Sequence, residues 1–326
     1  MTRRRHVELE TVIMCRIVAY LGEELALDTL LYRASSSLTR QSYDPSLQHW
    51  MNLAGAGFAG WNHNTLEPEL PFMYRSTSLP MYDRNLKGLS QKIAVHCGLA
   101  HIRATNYYPN ANPLVSEANL HPFRFPGTSI VMAHNGALAS FSKMKFAIAS
   151  RCKKQFSEQV EGTTDSEWVY ALLMSQFDDP TEPQSAEELA EATLNTLRIL
   201  RELRAELGIA THSAMNLVVT SGDSLIATRF TFDHGCYADK ITASILSPML
   251  HGLWYTAGAQ FCETDGDWTM NSSPNGRVTS LILASEPLSR DISNWIEVQE
   301  YSLVQVERHE SEIALKVQDI GESVWA

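Results

Sequence analysis

The chain has 326 residues, 44% of them hydrophobic, and a formal net charge of −11. That is enough apolar material for one large core or two ordinary domains, and the acidic balance excludes a general attraction for phosphate backbones or anionic membranes. No apolar run is long enough to span a membrane, and Val7-Glu8-Leu9-Glu10 interrupts any signal-peptide core after Arg3-Arg4-Arg5.

In chain order, Cys15 to Gly22 reads as a short strand ending at a glycine, and Leu25 to Tyr32 as a brief helix. Asn52 to Trp61 is small and glycine-rich, which suits a strand or loop where backbones approach closely. It is no phosphate loop, because no Lys-Ser/Thr follows. Residues 62–82, broken by Pro68, Pro71 and Pro80, read as a loop. Asp83 caps an expected helix from Arg84 to about Val95. Gly98 to Ala104 and Thr128 to Ala133 read as buried strands, with a polar loop, Asn106 to Pro126, between them. Ser142 to Phe156 and Thr164 to Phe177 read as helices. The second carries Asp165 and Glu167 in its first turn, where the macrodipole favours anions. After a linker, Asp178 to Ser185, the helix Ala186 to Leu207 opens with a Ser185/Glu188 capping box and ends at Gly208. Then come strands: Met215 to Thr220, Leu225 to Thr231, Gly252 to Ala257, Val278 to Ala284, Trp295 to Val306 and Ile313 to Val317. This order predicts an α+β chain of antiparallel sheets covered by helices, not a βαβ series.

Five cysteines, Cys15, Cys97, Cys152, Cys236 and Cys262, are scattered and odd in number. They read as reduced thiols in a cytoplasm. Cys15 stands apart. A chain that begins there has a thiol to attack and, in the same residue, an α-amine to take and return the proton. Such an amine has a pKa of roughly 7.7–8.0, so it is a usable base near neutrality. An internal cysteine has an amide nitrogen instead.

Three further motifs complete a constellation: His101-Ile102-Arg103-Ala104-Thr105, Ala133-His134-Asn135-Gly136 and Gly162-Thr163-Thr164-Asp165-Ser166-Glu167. Hydrolysis of a glutamine-like amide needs a nucleophile, two oxyanion donors, a cation for the α-carboxylate and an anion for the α-ammonium. Asn135 can donate its side-chain NH₂ and Gly136 its backbone N–H. Arg103 can grip a carboxylate with a fork, and Asp165 can accept from an ammonium. Each also has an ordinary reading: a buried small hydrophobe for Cys15, a turn for Asn-Gly, a surface ion pair for Arg103, a cap for Thr164-Asp165.

Taken together, Met14-Cys15-Arg16, His101-Ile102-Arg103, His134-Asn135-Gly136 and Thr164-Asp165-Ser166-Glu167 resemble the class II glutamine amidotransferases, a branch of the N-terminal nucleophile hydrolases. Gln41-Ser42-Tyr43, Leu120-His121-Pro122-Phe123 and Ala284-Ser285-Glu286-Pro287-Leu288 resemble a stand-alone subgroup, the γ-glutamyl amidohydrolases of ergothioneine biosynthesis and fungal glutathione degradation. The resemblance implies a four-layer αββα sandwich with mostly antiparallel sheets, and a γ-glutamyl–cysteine thioester hydrolysed to glutamate. By matching motif, Cys15 is nucleophile and base, and Asn135 and Gly136 form the oxyanion hole. Arg103 and Asp165 clamp the substrate, with Thr105 and His134 beside them. No cofactor or metal is implied. His96, Cys97 and His101 do not have zinc-ligand spacing. His134 is expected to order the oxyanion loop, and His121 to be a loop histidine or a contact to that loop.

Departures from the family pattern are Ala54 where an aspartate is common, a motif one residue shorter between Arg103 and Thr105, and a longer Asn106 to Leu120 loop. Residues 1–14 precede the nucleophile and are read as an extension, with 15–326 as a single domain. Translation starting at Met14, removal of a propeptide, and retention with an altered site all stay open. The expected partner is a small γ-glutamyl substrate, with no nucleic acid and no membrane. The alternatives are a glutaminase subunit feeding ammonia to a synthase or ligase partner, and a non-catalytic binding protein.

Overall fold

Strand β1 (Arg16–Ala26) is apolar on both faces, as a central strand between two covered layers must be. The computed structural model describes residues 15–47, 51–104, 115–236, 252–310 and 312–325. Within these, β1 is the middle of a seven-stranded sheet. In spatial order the sheet is β13 (Ile296–Glu297), β9 (Trp254–Gly258), β12 (Ser280–Ala284), β1, β4 (Ala94–Ile102), β2 (Ala56–Trp61) and β3 (Phe72–Ser76). A second sheet orders β15 (Glu312–Asp319), β14 (Ser302–His309), β7 (Ser224–Arg229), β6 (Ser213–Thr220) and β5 (Val131–Gly136), with β8 (Thr231–Phe232) paired to β6. The described pairings are antiparallel.

Period-two alternation assigns the layers. Ile17, Ala19 and Leu21 of β1 pack between the sheets with Val131, Ala133, Val218, Ala227 and Val304. Val18 and Tyr20 face the other way, toward Leu30, Leu31, Leu38 and Trp268. Helices α3 (Phe141–Arg151), α5 (Asp165–Met174) and α6 (Ala186–Glu206) cover the second sheet, burying Ile148, Val169, Leu173, Leu189 and Leu197 against Met215, Leu217 and Ile226. The first sheet has a thinner cover. It consists of a π-helical turn (Thr29–Arg33), short helices α1 (Leu38–Gln41) and α2 (Arg84–Ser90), and a hairpin of β10 (Gln260–Thr264) and β11 (Asp267–Asn271). The result is the four-layer αββα sandwich. Among the described residues no helix is long and apolar enough to cross a membrane.

Several expected boundaries move. β1 passes through Gly22 to Ala26, with a register shift against β4 between Leu21 and Leu25, so the Leu25 to Tyr32 helix is only a turn. A Cβ at position 22 would lie 2.5 Å from Ser280 Oγ, which explains the glycine inside the strand. Residues 62–82 contain the edge strand β3 rather than loop alone. Helix α2 stops at Ser90, because the chain must turn into β4 at Ala94. The Ser142 to Phe156 helix is split, since Cys152 and Lys153 take extended backbone before α4 (Lys154–Ser157). Trp295 to Val306 is two strands in two sheets, with Tyr301 at φ 64° in the crossover. The Asp83 cap and the Ser185/Glu188 capping box are present as read.

Candidate active site

The antiparallel register of β1 and β4 sets Arg16 opposite Ile102. Cys15 therefore lies beside the Arg103-Ala104 exit of β4. Its Sγ accepts the Ala104 N–H at 3.4 Å. From the second sheet, the end of β5 brings Asn135, 120 positions away in sequence, so that Cys15 N donates to Asn135 Oδ1 at 2.9 Å. Both residues are buried. Next to Asn135, Gly136 leaves no space for a side chain. A Cβ there would sit 2.0 Å from the Ala214 carbonyl oxygen.

Helix α5 closes the site from the far side. Thr164 Oγ1 caps it by accepting the Glu167 N–H at 3.3 Å. Asp165 holds the turn after β5, with Oδ2 accepting from Leu138 N at 2.6 Å and Oδ1 from Ser166 N at 2.8 Å. His134 bridges the same elements. Its Nε2 donates to the Ala214 carbonyl at 3.0 Å, and its Nδ1 faces Ser166 Oγ at 2.9 Å. Both ring nitrogens are thus engaged within the protein, and the residue orders the loop. The Arg103 backbone is pinned to the glycine-rich segment: its N–H donates to Gly55 O at 2.9 Å, and its carbonyl accepts from Ala54 N at 3.0 Å. Thr105 and most of the Asn106 to Leu120 loop lie outside the described residues.

Electrostatics defines the resting state. Burial pushes the Cys15 thiol up to about 11. The Ala104 N–H and the charges of Arg103 and Arg16 pull it down, and Asp165 pushes it up. Arg103 and Asp165 thus both act on the sulfur, with opposite signs. The resting group is a thiol, so attack needs a base at the moment of reaction. The nearby imidazoles are poor candidates. His101 and His121 pack with ring centroids 4.2 Å apart and planes tilted by 41°. Burial, first among the causes, lowers His101 to about 3 and His121 well below its usual range. A base that weak holds no proton near neutrality.

Supporting residues escaped the sequence reading. Arg16, fully buried, pairs with Glu286, Nη2 to Oε1 at 3.2 Å, and donates from Nη1 to the Cys15 carbonyl at 3.3 Å. The other Glu286 oxygen accepts the Ser46 and Leu47 N–H groups, each at 2.9 Å. Gln41 Nε2 donates to the Glu286 carbonyl at 3.1 Å. Ser285 Oγ accepts from Ile17 N at 3.0 Å and from Asn135 Nδ2 at 3.4 Å. Glu167 accepts from the Glu161 and Gly162 N–H groups at 2.9 and 2.7 Å, and burial raises its carboxyl. The signal was present in the short words Gln41-Ser42-Tyr43 and Ser285-Glu286-Pro287. What they lacked was a link to Arg16, which only the sheet supplies. A separate cavity of about 500 Å³ on the outer side of the first sheet is lined by Arg33, Arg40, Lys87, Arg290 and Trp268, and none of the Cys15 constellation lines it.

Comparison with known proteins gives the family and the fold. The pattern of the family "glutamine amidotransferases class-II" matches residues 86–322. The probable glutamine amidotransferase DUG3 of Saccharomyces cerevisiae is 26% identical over 313 residues, covering 90% of this chain and 82% of the yeast protein. A glutamine aminotransferase class-II domain protein from Silicibacter pomeroyi superposes with a TM-score of 0.56 at 16% identity, covering 93% of this chain and 98% of that one. The glutamine phosphoribosylpyrophosphate amidotransferase of B. subtilis superposes with a TM-score of 0.52 at 13% identity, covering 93% of this chain and 49% of that one. These two structures share the sandwich fold. With the family pattern covering most of its length, the chain belongs to the class II glutamine amidotransferases and is an amidohydrolase of glutamine-type amides.

Proposed function

We propose that the working chain begins at Cys15, as a single domain from 15 to 326, and hydrolyses a γ-glutamyl amide through a thioester on that residue. The observation that carries the reading is the contact of Cys15 N with Asn135 Oδ1 at 2.9 Å, beside a sulfur buried as a thiol. With a free α-amine, that contact takes up one N–H and leaves a lone pair for the Sγ proton. The Cys15 sulfur attacks the γ-carbonyl carbon as its proton passes to the amine. The C–O π pair moves onto oxygen, where the second Asn135 Nδ2 proton and the Gly136 N–H receive it. Collapse breaks the C–N bond, and the ammonium returns its proton to the leaving nitrogen. Water, deprotonated by the same amine, then adds to the thioester. Glutamate leaves, and Sγ regains its proton.

Arg103 would hold the substrate α-carboxylate and Asp165 the α-ammonium. These charges of opposite sign already bear on the sulfur. Because the imidazoles nearby stay neutral, activity should rise with pH as the amine loses its proton, near roughly 7.7–8.0. The substrate is glutamine or a γ-glutamyl-cysteinyl conjugate, and the setting a reducing cytoplasm.

The test is glutamate release from both compounds by protein shown to start at Cys15, with hydroxylamine as a competing nucleophile. The reading expects γ-glutamyl hydroxamate to appear at the expense of glutamate, and none from Cys15→Ala. Glutamate release with no hydroxamate, unchanged in Cys15→Ala, would reject it.

A further inference from the structure

Asparagine has no intrinsic preference between the two ends of its amide. Its terminal torsion is broad, so neighbours decide which atom faces which group. At Asn135 this choice matters. A neutral α-amine has two N–H groups and one lone pair. Oδ1 facing Cys15 N accepts an N–H and leaves the lone pair free. Nδ2 in the same place would donate to the lone pair and occupy the site's base. The same rotation would turn Oδ1 toward the developing oxyanion, replacing a donor by a repelling dipole.

Among the described residues, the far end of the amide meets a single fixed group. Asn135 Nδ2 donates to Ser285 Oγ at 3.4 Å. Ser285 is 1% exposed and sits just past the end of β12. It is tied to β1 twice: its N–H donates to the Ile17 carbonyl at 3.0 Å, and its Oγ accepts the Ile17 N–H at 3.0 Å. Its hydroxyl thus has a fixed place two residues from the nucleophile. We propose that Ser285 is a positioning residue that holds the Asn135 amide with its oxygen toward the Cys15 nitrogen and its NH₂ toward the oxyanion. One side chain thereby keeps both halves of the reaction aligned, the base and the oxyanion donor. The inference rests on the reading of Cys15 as nucleophile and base.

Ser285→Ala removes the anchor and leaves the amide free to rotate. The expected result is a fall in kcat of about tenfold or more, with KM within about twofold, because the substrate clamps are untouched. The acidic limb of the kcat profile moves to lower pH, since orientations that donate to the lone pair favour the neutral amine. The lost acceptor for Ile17 N–H costs stability, so the fraction folded is measured in parallel by thermal unfolding. Ser285→Cys, close in size and a weaker acceptor, should fall between parent and alanine in both kcat and pH limb. A folded Ser285→Ala with parental kcat and pH profile overturns the inference, as does a rise confined to KM. Cys15→Ala run alongside separates the two levels. If it is silent while Ser285→Ala matches the parent, only the role of Ser285 falls; if it turns over at the parental rate, the reading of Cys15 falls as well.

Discussion

Arg16 Nη2 lies 3.2 Å from Glu286 Oε1, and both side chains are sealed from solvent. The pair joins the residue after the nucleophile to the turn after β12, and its second carboxylate oxygen gathers the Ser46 and Leu47 amides. A buried pair of this kind stabilises little against an apolar replacement, but removing one partner strands a charge. Glu286→Ala should therefore cost about 3–5 kcal/mol in urea unfolding, and Arg16→Met with Glu286→Leu should recover most of it. A single-variant loss below about 1 kcal/mol would mean that the guanidinium finds water.

Gly136 faces the Ala214 carbonyl so closely that a methyl group cannot enter without moving β5 from β6. Gly136→Ala should cost about 1–3 kcal/mol in stability. It should also lower kcat by roughly a hundredfold or more, by displacing a backbone donor. Unfolding curves and steady-state rates together decide it, and a parental kcat in a folded variant would remove the Gly136 N–H from the oxyanion site.

Asp165 serves two masters, the Leu138 N–H and the proposed α-ammonium. Asp165→Asn keeps an oxygen for Leu138 and gives up the charge together with the acceptor for the Ser166 N–H. Its KM should rise by roughly tenfold or more, the worth of a charged hydrogen bond, while kcat and Tm change little. An unchanged KM would reject the ammonium role, and a large Tm loss would mark the residue as structural.

The imidazoles should govern acid stability rather than activity. His101 is lowered to about 3 by burial, against about 6.5 in an unfolded chain. Below 6.5 the unfolded state takes up a proton that the native state refuses. The contribution is therefore complete above about 6.5 and is lost as pH falls toward 3, with a slope of up to about 1.4 kcal/mol per unit. His121 acts in the same direction. Tm should hold between pH 7 and 8 and decline below 6.5. His101→Gln should decline less steeply, and an identical slope would assign acid unfolding to other groups.

How much of this was legible depends on whether a signal is local. The α6 capping box and the Asp83 cap sit within four residues, so sequence spacing alone reveals them. β3 is half-buried throughout with no apolar–polar alternation, and nothing marks it until β2 pairs with it. The β10–β11 hairpin does carry a local signal, Asp265-Gly266 between two strands. At the site, Arg103, Asn135, Gly136 and Asp165 stand out in the sequence because each ends a strand or starts a helix in a recognisable word. Ser285 and the Arg16–Glu286 pair do not, because their meaning lies in β1 being flanked by β12, a pairing across nearly the whole chain.

The central claim is that the catalytic amine belongs to Cys15. Intact-mass analysis of active protein purified from its own cells, joined to N-terminal sequencing of the same sample, tests it most directly. The account predicts a first residue of cysteine followed by Arg-Ile-Val, and no activity in any fraction that retains Met1 to Met14. Full turnover by a chain still carrying those residues would contradict it, because the nitrogen facing Asn135 would then be an amide with no basic lone pair to take the thiol proton.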